Sequence, residues 1–136
     1  MDMESRGKGK KMGLGRLLNS FKYSWEGLKY AYKYEQSMAI HVSATALVII
    51  AGFVFKISYV EWILCLFMIG IIVATELINT AIEAVVDLAC PVEHPLAKIA
   101  KDTASAAVFA YTIIATITGT MVFLPHIIEF VKALLK

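Results

Sequence analysis

Apolar residues in this chain gather in three long runs, preceded by a stretch where they recur every three or four positions. In that stretch Leu14, Leu17, Leu18, Phe21, Trp25, Leu28 and Tyr32 form one stripe, and Arg16, Lys22, Lys29 and Lys33 lie off it. This is the period of a helix with one apolar face. The first long run is Met38 to Ile57, with His41 and Lys56 near its ends, where polar tips reach an interface. The second, from about Val60 to Val86, is apolar from Trp62 to Thr75 and then carries Glu76, Asn79, Thr80 and Glu83, with Asp87 just beyond. The last, Thr103 to Pro125, has no charged residue and is long enough to cross about 30 Å of hydrocarbon. The pattern predicts an all-α integral membrane protein of three transmembrane helices, at about 38–57, 60–86 and 101–124. An amphipathic surface helix over about 14–34 precedes them. Residues 14–136 then form a single membrane domain, and residues 1–13 a mobile basic tail.

Composition strengthens the membrane reading. Hydrophobic residues make up 59% of the 136 positions, and the mean hydropathy is +0.70. A soluble domain of this size has too little interior to bury that much apolar surface. The net charge is only +2, but eight of the thirteen Lys and Arg residues lie at or before Lys33. A basic start on an apolar protein points to an anionic membrane surface and away from nucleic acid. With a cytoplasmic N-terminus, the connection from Leu88 to Ala100 is cytoplasmic too. That side then also holds Lys98 and Lys101, while Lys56, Lys132 and Lys136 face away, as the positive-inside rule favours. No compact apolar core followed by small residues occurs in the first forty positions, so the spans are expected to stay in the mature protein. Cys65 and Cys90 are not at metal-ligand spacing and read as reduced, structural thiols.

The chemistry concentrates in the second run. At about 100° per residue, Glu76, Asn79, Thr80, Glu83 and Asp87 share roughly a third of the helix circumference. Such a seam must face protein or water. With only three spans per chain, an oligomer is expected. Lys101, Asp102 and Ser105 open the following span, and Glu35 stands at the junction of surface helix and first span. Acids, an amide and a lysine from three regions thus meet at one membrane level. This set suits phosphoryl transfer from ATP, which needs carboxylates for a divalent metal, a cation on the phosphates and a base for the accepting hydroxyl. Glu76, the deepest acid, fits the base by position. Blander readings exist for single residues. Asn79 and Thr80 also hold helices together, Asp102 also caps a span, Lys101 also anchors at an interface, and His41 reads as an interfacial polar residue. Two intramembrane glutamates seven residues apart resist such a reading.

The segment Glu76-Leu-Ile-Asn79-Thr80-Ala81-Ile82-Glu83-Ala84-Val85-Val86-Asp87 resembles the signature of the prokaryotic diacylglycerol kinase family. Ala100-Lys101-Asp102-Thr-Ala-Ser105-Ala-Ala-Val108 resembles its second motif, and Tyr23-Ser24-Trp25-Glu-Gly27-Leu28 its surface-helix segment. The likeness runs from about Arg16 to Leu124. It implies a homotrimer with active sites shared between subunits, and magnesium with ATP as co-substrate. By matching position, Glu76 is the implied catalytic base, and Glu35 and Glu83 the implied metal and ATP ligands. Asn79 and Asp87 are implied supporting groups, and Trp25 and Ser105 join them on the supporting or substrate side. Lys101 and Asp102 are implied nucleotide contacts, with Arg16, Tyr23, Glu93 and His94 as further candidates.

Two branches of the family differ in the lipid alcohol phosphorylated, diacylglycerol or undecaprenol. Glu35 through Ile40-His41, and His94-Pro95-Leu-Ala-Lys98-Ile-Ala-Lys101-Asp102, look like the undecaprenol branch, although Ala39 departs from the basic residue expected there. A small proton-coupled transporter is the rival of another class, because intramembrane carboxylates also serve proton relays. A non-catalytic membrane scaffold is a second rival.

Overall fold

The computed structural model describes residues 13–135, so the expected mobile tail lies, but for Gly13, outside the described residues. The described chain is four helices: α1 (Leu14–Tyr34), α2 (Gln36–Phe55), α3 (Tyr59–Ala89) and α4 (Pro95–Leu134). Among the described residues there is no strand. The last three helices are each long and apolar enough to cross a membrane.

Short connections set the geometry. A single residue, Glu35, separates α1 from α2, with extended backbone (φ −101°, ψ 114°). It is the N-cap of α2, yet its side chain makes no capping bond, which leaves the carboxylate for other partners. The turn from α2 to α3 is almost as tight. Lys56 takes a left-handed conformation (φ 52°), and the Ile57 N–H donates to the Gly52 carbonyl at 3.1 Å, satisfying an end carbonyl of α2. Ser58 then starts α3 with a capping box. Its hydroxyl accepts from the Glu61 N–H at 3.4 Å, and the Glu61 carboxylate accepts from the Ser58 N–H at 2.6 Å. Gly52 is buried where a Cβ would lie 2.7 Å from the Trp62 ring, so α2 and α3 approach closely only because this position lacks a side chain.

Helix α4 begins at Pro95, six residues before the apolar span expected from about 101. His94 caps it, its Nδ1 accepting from the Leu96 N–H at 3.2 Å, and Pro95 has the φ that a first helical turn requires. The helix therefore starts outside the apolar segment and runs past Pro125 to Leu134. At 1.5 Å per residue its 40 residues span about 60 Å. Asp102 consequently lies inside α4 and is not its cap. It pairs instead with Lys98 one turn earlier.

Helix α4 packs chiefly along α3. At the end away from Glu76, Phe55 faces Phe123, His126 and Phe130, and His126 Nε2 lies 3.1 Å from Glu61 Oε1. A small buried cluster of Ile57, Cys65 and Val122 sits beside them. Elsewhere the large apolar side chains point outward, including Leu47, Phe53, Phe67, Ile78, Phe109 and Ile117. On three spans of this length, such a surface belongs in hydrocarbon, and the chain is a multi-pass membrane protein. The apolar stripe of α1 is also uncovered, with Leu14, Leu18, Phe21 and Trp25 all more than 60% exposed.

Candidate active site

Three helices and one junction build a cleft of about 320 Å³ at the polar end of α3. The extended backbone at Glu35 places Glu35 and Ser37 on its wall, and α2 adds His41. Helix α3 contributes Glu76, Asn79 and Glu83, one turn apart along the same face, and α4 contributes Ser105, Phe109 and Thr112.

Glu76 is 1% exposed, and its Oε1 accepts a hydrogen bond from the Ser37 hydroxyl. Its backbone carbonyl also accepts from the Thr80 hydroxyl at 3.0 Å, so Thr80 is satisfied within its own helix. Asn79 is buried, and its Nδ2 donates to Glu83 Oε1 at 2.9 Å. A carboxylate only accepts, so the amide nitrogen must turn to Glu83. The Asn79 Oδ1 is thereby left buried with no partner among the described residues. An unpartnered buried acceptor is free to take a donor or ion from outside the chain.

Electrostatics link the cleft to the membrane surface. Glu35 is held above the ordinary carboxylate range, first by burial, then by the negative charges of Glu83 and Glu76, with Lys101 pulling the other way. Lys101 Nζ donates to Asp87 Oδ1 at 3.0 Å across the α3–α4 junction. Asp87 and Lys101, with Glu93, His94, Lys98 and Asp102, line a second, wider hollow of about 840 Å³ next to the 90–94 loop.

The residues expected at a site thus fall into two adjoining groups. Glu35, Glu76, Asn79, Glu83 and Ser105 meet in the cleft. Asp87, Glu93, His94, Lys101 and Asp102 meet in the outer hollow. Arg16, Tyr23 and Trp25 lie exposed on α1 and line neither. Sequence reasoning missed Ser37, and it treated His41 only as an interfacial residue. Ser37 lies 39 residues from Glu76, and no spacing rule joins residues on different helices. Its one local signal is a serine two positions after a helix-breaking acid.

The cleft offers a buried carboxylate beside two further acids, and next to it lies a polar hollow of mixed charge. This set can take a proton from an alcohol and hold a charged phosphate donor. Comparison with known proteins agrees. The chain is 39% identical over 114 residues to an undecaprenol kinase of Bacillus subtilis, covering 84% of this chain and 93% of that protein. It is 36% identical over 114 residues to a diacylglycerol kinase of Synechocystis, covering 83% of this chain and 65% of that one. A diacylglycerol kinase of Haemophilus influenzae is 36% identical over 115 residues, covering 84% and 98%. The family model for prokaryotic diacylglycerol kinase matches residues 22–123, a stretch that takes in every residue lining the cleft. The chain belongs to that family and is a membrane lipid kinase.

Proposed function

We propose that the protein transfers the γ-phosphate of ATP to the hydroxyl of undecaprenol, giving undecaprenyl phosphate and ADP. The observation that carries this reading is Glu76, buried in a cleft that also holds Glu35 and Glu83. The choice of lipid rests on the likeness to the Bacillus subtilis undecaprenol kinase and on the segments around Glu35–His41 and His94–Asp102. Diacylglycerol, named for the other two relatives, is the second reading.

The lipid alcohol enters sideways from the cytoplasmic leaflet and keeps its chain among the spans. Its hydroxyl meets Glu76. Glu76 takes the hydroxyl proton as the lipid oxygen bonds to the γ-phosphorus, and the bond from that phosphorus to the bridging oxygen of ADP breaks. Glu35 and Glu83 face the phosphates, and Asn79 fixes Glu83. Lys101, with Asp102 and the loop residues Glu93 and His94, borders the hollow where the rest of the nucleotide lies, and Arg16 and Tyr23 serve the corresponding hollow of a neighbouring subunit from α1. Among the described residues no three His, Cys, Asp or Glu side chains converge on a metal-sized point. Magnesium nonetheless fits the donors present, because it is commonly held by one or two carboxylates plus phosphate and water. Glu35 and Glu83 would hold it, with the unpartnered Asn79 Oδ1 nearby, and it would offset phosphate charge.

The working unit is a homotrimer with sites shared between subunits. Its N-termini and sites are cytoplasmic, and α1 lies on the membrane surface with its apolar stripe in the headgroup zone. Residues 14–136 act as one membrane domain. The test is transfer of label from ATP in detergent–lipid micelles, with undecaprenol and diacylglycerol offered separately and Glu76→Gln as control. Label in undecaprenyl phosphate, lost in the variant, is the expected result. Preference for diacylglycerol would reverse the lipid assignment and keep the kinase. A folded oligomer that transfers to neither would return the chain to the transporter or scaffold readings.

A further inference from the structure

We infer that Ser37 is a positioning residue for the phosphoryl transfer, holding the Glu76 carboxylate at Oε1 in the orientation in which it meets the lipid hydroxyl. The inference rests on the reading of Glu76 as the base. Three observations carry it. First, the hydrogen bond that the structure gives the buried Glu76 carboxylate comes from the Ser37 hydroxyl. A hydrogen bond to an ionised carboxylate is stronger than one between neutral groups, and the buried group has little water to replace it.

Second, the same backbone break that places Glu35 on the cleft wall places Ser37 there, in the first turn of α2. Position 37 is therefore fixed relative to α3 by the junction and does not depend on a long flexible side chain. Third, the carboxylate has two oxygens. With Oε1 bound to Ser37, the side chain cannot rotate freely, and Oε2 is the oxygen left for an incoming hydroxyl. Preorganised geometry of this kind lowers the reorganisation required when the proton moves.

The charged and titratable groups around Glu76 are Glu35 at the junction, His41 on α2 and Glu83 on α3, with Lys101 on α4 at the mouth. None of them changes in a Ser37 variant.

The experiment compares Ser37→Ala and Ser37→Thr with the unaltered full-length protein in micelles, with undecaprenol, diacylglycerol and magnesium-ATP. In the alanine variant, kcat is expected to fall about tenfold or more while KM for ATP holds, the mark of an interaction used in the transition state. Threonine, which keeps the hydroxyl, restores kcat. Wild-type kcat in Ser37→Ala would overturn the inference, as would equal impairment by alanine and threonine, which would mark a packing effect. Glu76→Gln, run alongside, separates the two layers. Turnover retained there removes the base reading itself. Turnover lost there, with Ser37→Ala unaffected, removes only the role of Ser37.

Discussion

At Glu35, burial and two neighbouring carboxylates act in the same direction, and this has consequences for pH. A raised carboxylate value means that the folded protein binds the proton more tightly than the unfolded chain does. Its contribution to stability is then fully present below the ordinary carboxylate value and is lost as pH rises through the folded one. At neutral pH the ionised Glu35 therefore costs the fold some stability until a cation offsets its charge. Glu35→Gln should leave thermal stability in magnesium-free micelles equal or higher, and added magnesium-ATP should raise the melting temperature of the unaltered protein more than that of the variant. Because a ligand carboxylate must be ionised, magnesium-ATP affinity should weaken as pH falls through the raised value. That pH-dependence should shrink in the variant; an identical titration of binding in both proteins would remove Glu35 from the ligand set. The neighbouring Asn79 holds Glu83 by its amide nitrogen. Asn79→Ala frees that carboxylate and should weaken magnesium-ATP binding in a titration while KM for the lipid holds; unchanged magnesium-ATP affinity would remove Asn79 from this role.

Among the elements, the α2–α3 hairpin is the most sharply specified. Gly52 is needed for close approach, since a methyl there meets two ring carbons of Trp62 at 2.7 Å. An aromatic ring wedged between helices cannot swing aside as a lysine tip would. Gly52→Ala should therefore destabilise the protein by about 1–3 kcal/mol, the usual range for overpacking. Ser58→Ala, which removes one half of the capping box, should cost about 1 kcal/mol. Denaturant or thermal unfolding in micelles reads both, and neither should change KM for ATP, because this turn lies at the opposite end of α3 from the cleft. The length of α4 reflects the same economy of local signals. Capping by His94 and a proline at the first position start the helix outside the apolar run, so that Lys98, Lys101 and Asp102 are already helical where they face the loop hollow.

For the whole molecule, a single chain leaves too much uncovered. The apolar stripe of α1 and most large side chains of the three spans are exposed, and Arg16, Tyr23 and Trp25 reach neither hollow of their own chain. A trimer in which α1 serves a neighbour's site would use both facts. Native mass spectrometry or crosslinking in micelles should give a trimer. Mixed assemblies of Glu76→Gln and Arg16→Ala chains should recover transfer that neither variant has alone. Failure to recover it, with mixed trimers verified, would confine each site to one subunit.

Much of this was legible along the chain because the bilayer imposes simple rules. Hydrocarbon thickness sets the length of an apolar run, the helical period lines up Glu76, Asn79, Glu83 and Asp87, and unpaired backbone in lipid forces helices. The seam, the three spans and the family likeness are all local in sequence, so they could be read there. What only the tertiary structure decided is which partners meet across helices. The bond from Ser37 to Glu76, the unpartnered Oδ1 of Asn79, the pairing of Lys101 with Asp87 and the division of the polar residues into a cleft and an outer hollow depend on how three helices are angled together. The single-residue break at Glu35 and the close contact at Gly52 shape the α1–α2 and α2–α3 arrangements, α4 packs along α3, and no periodicity within one helix encodes these relations.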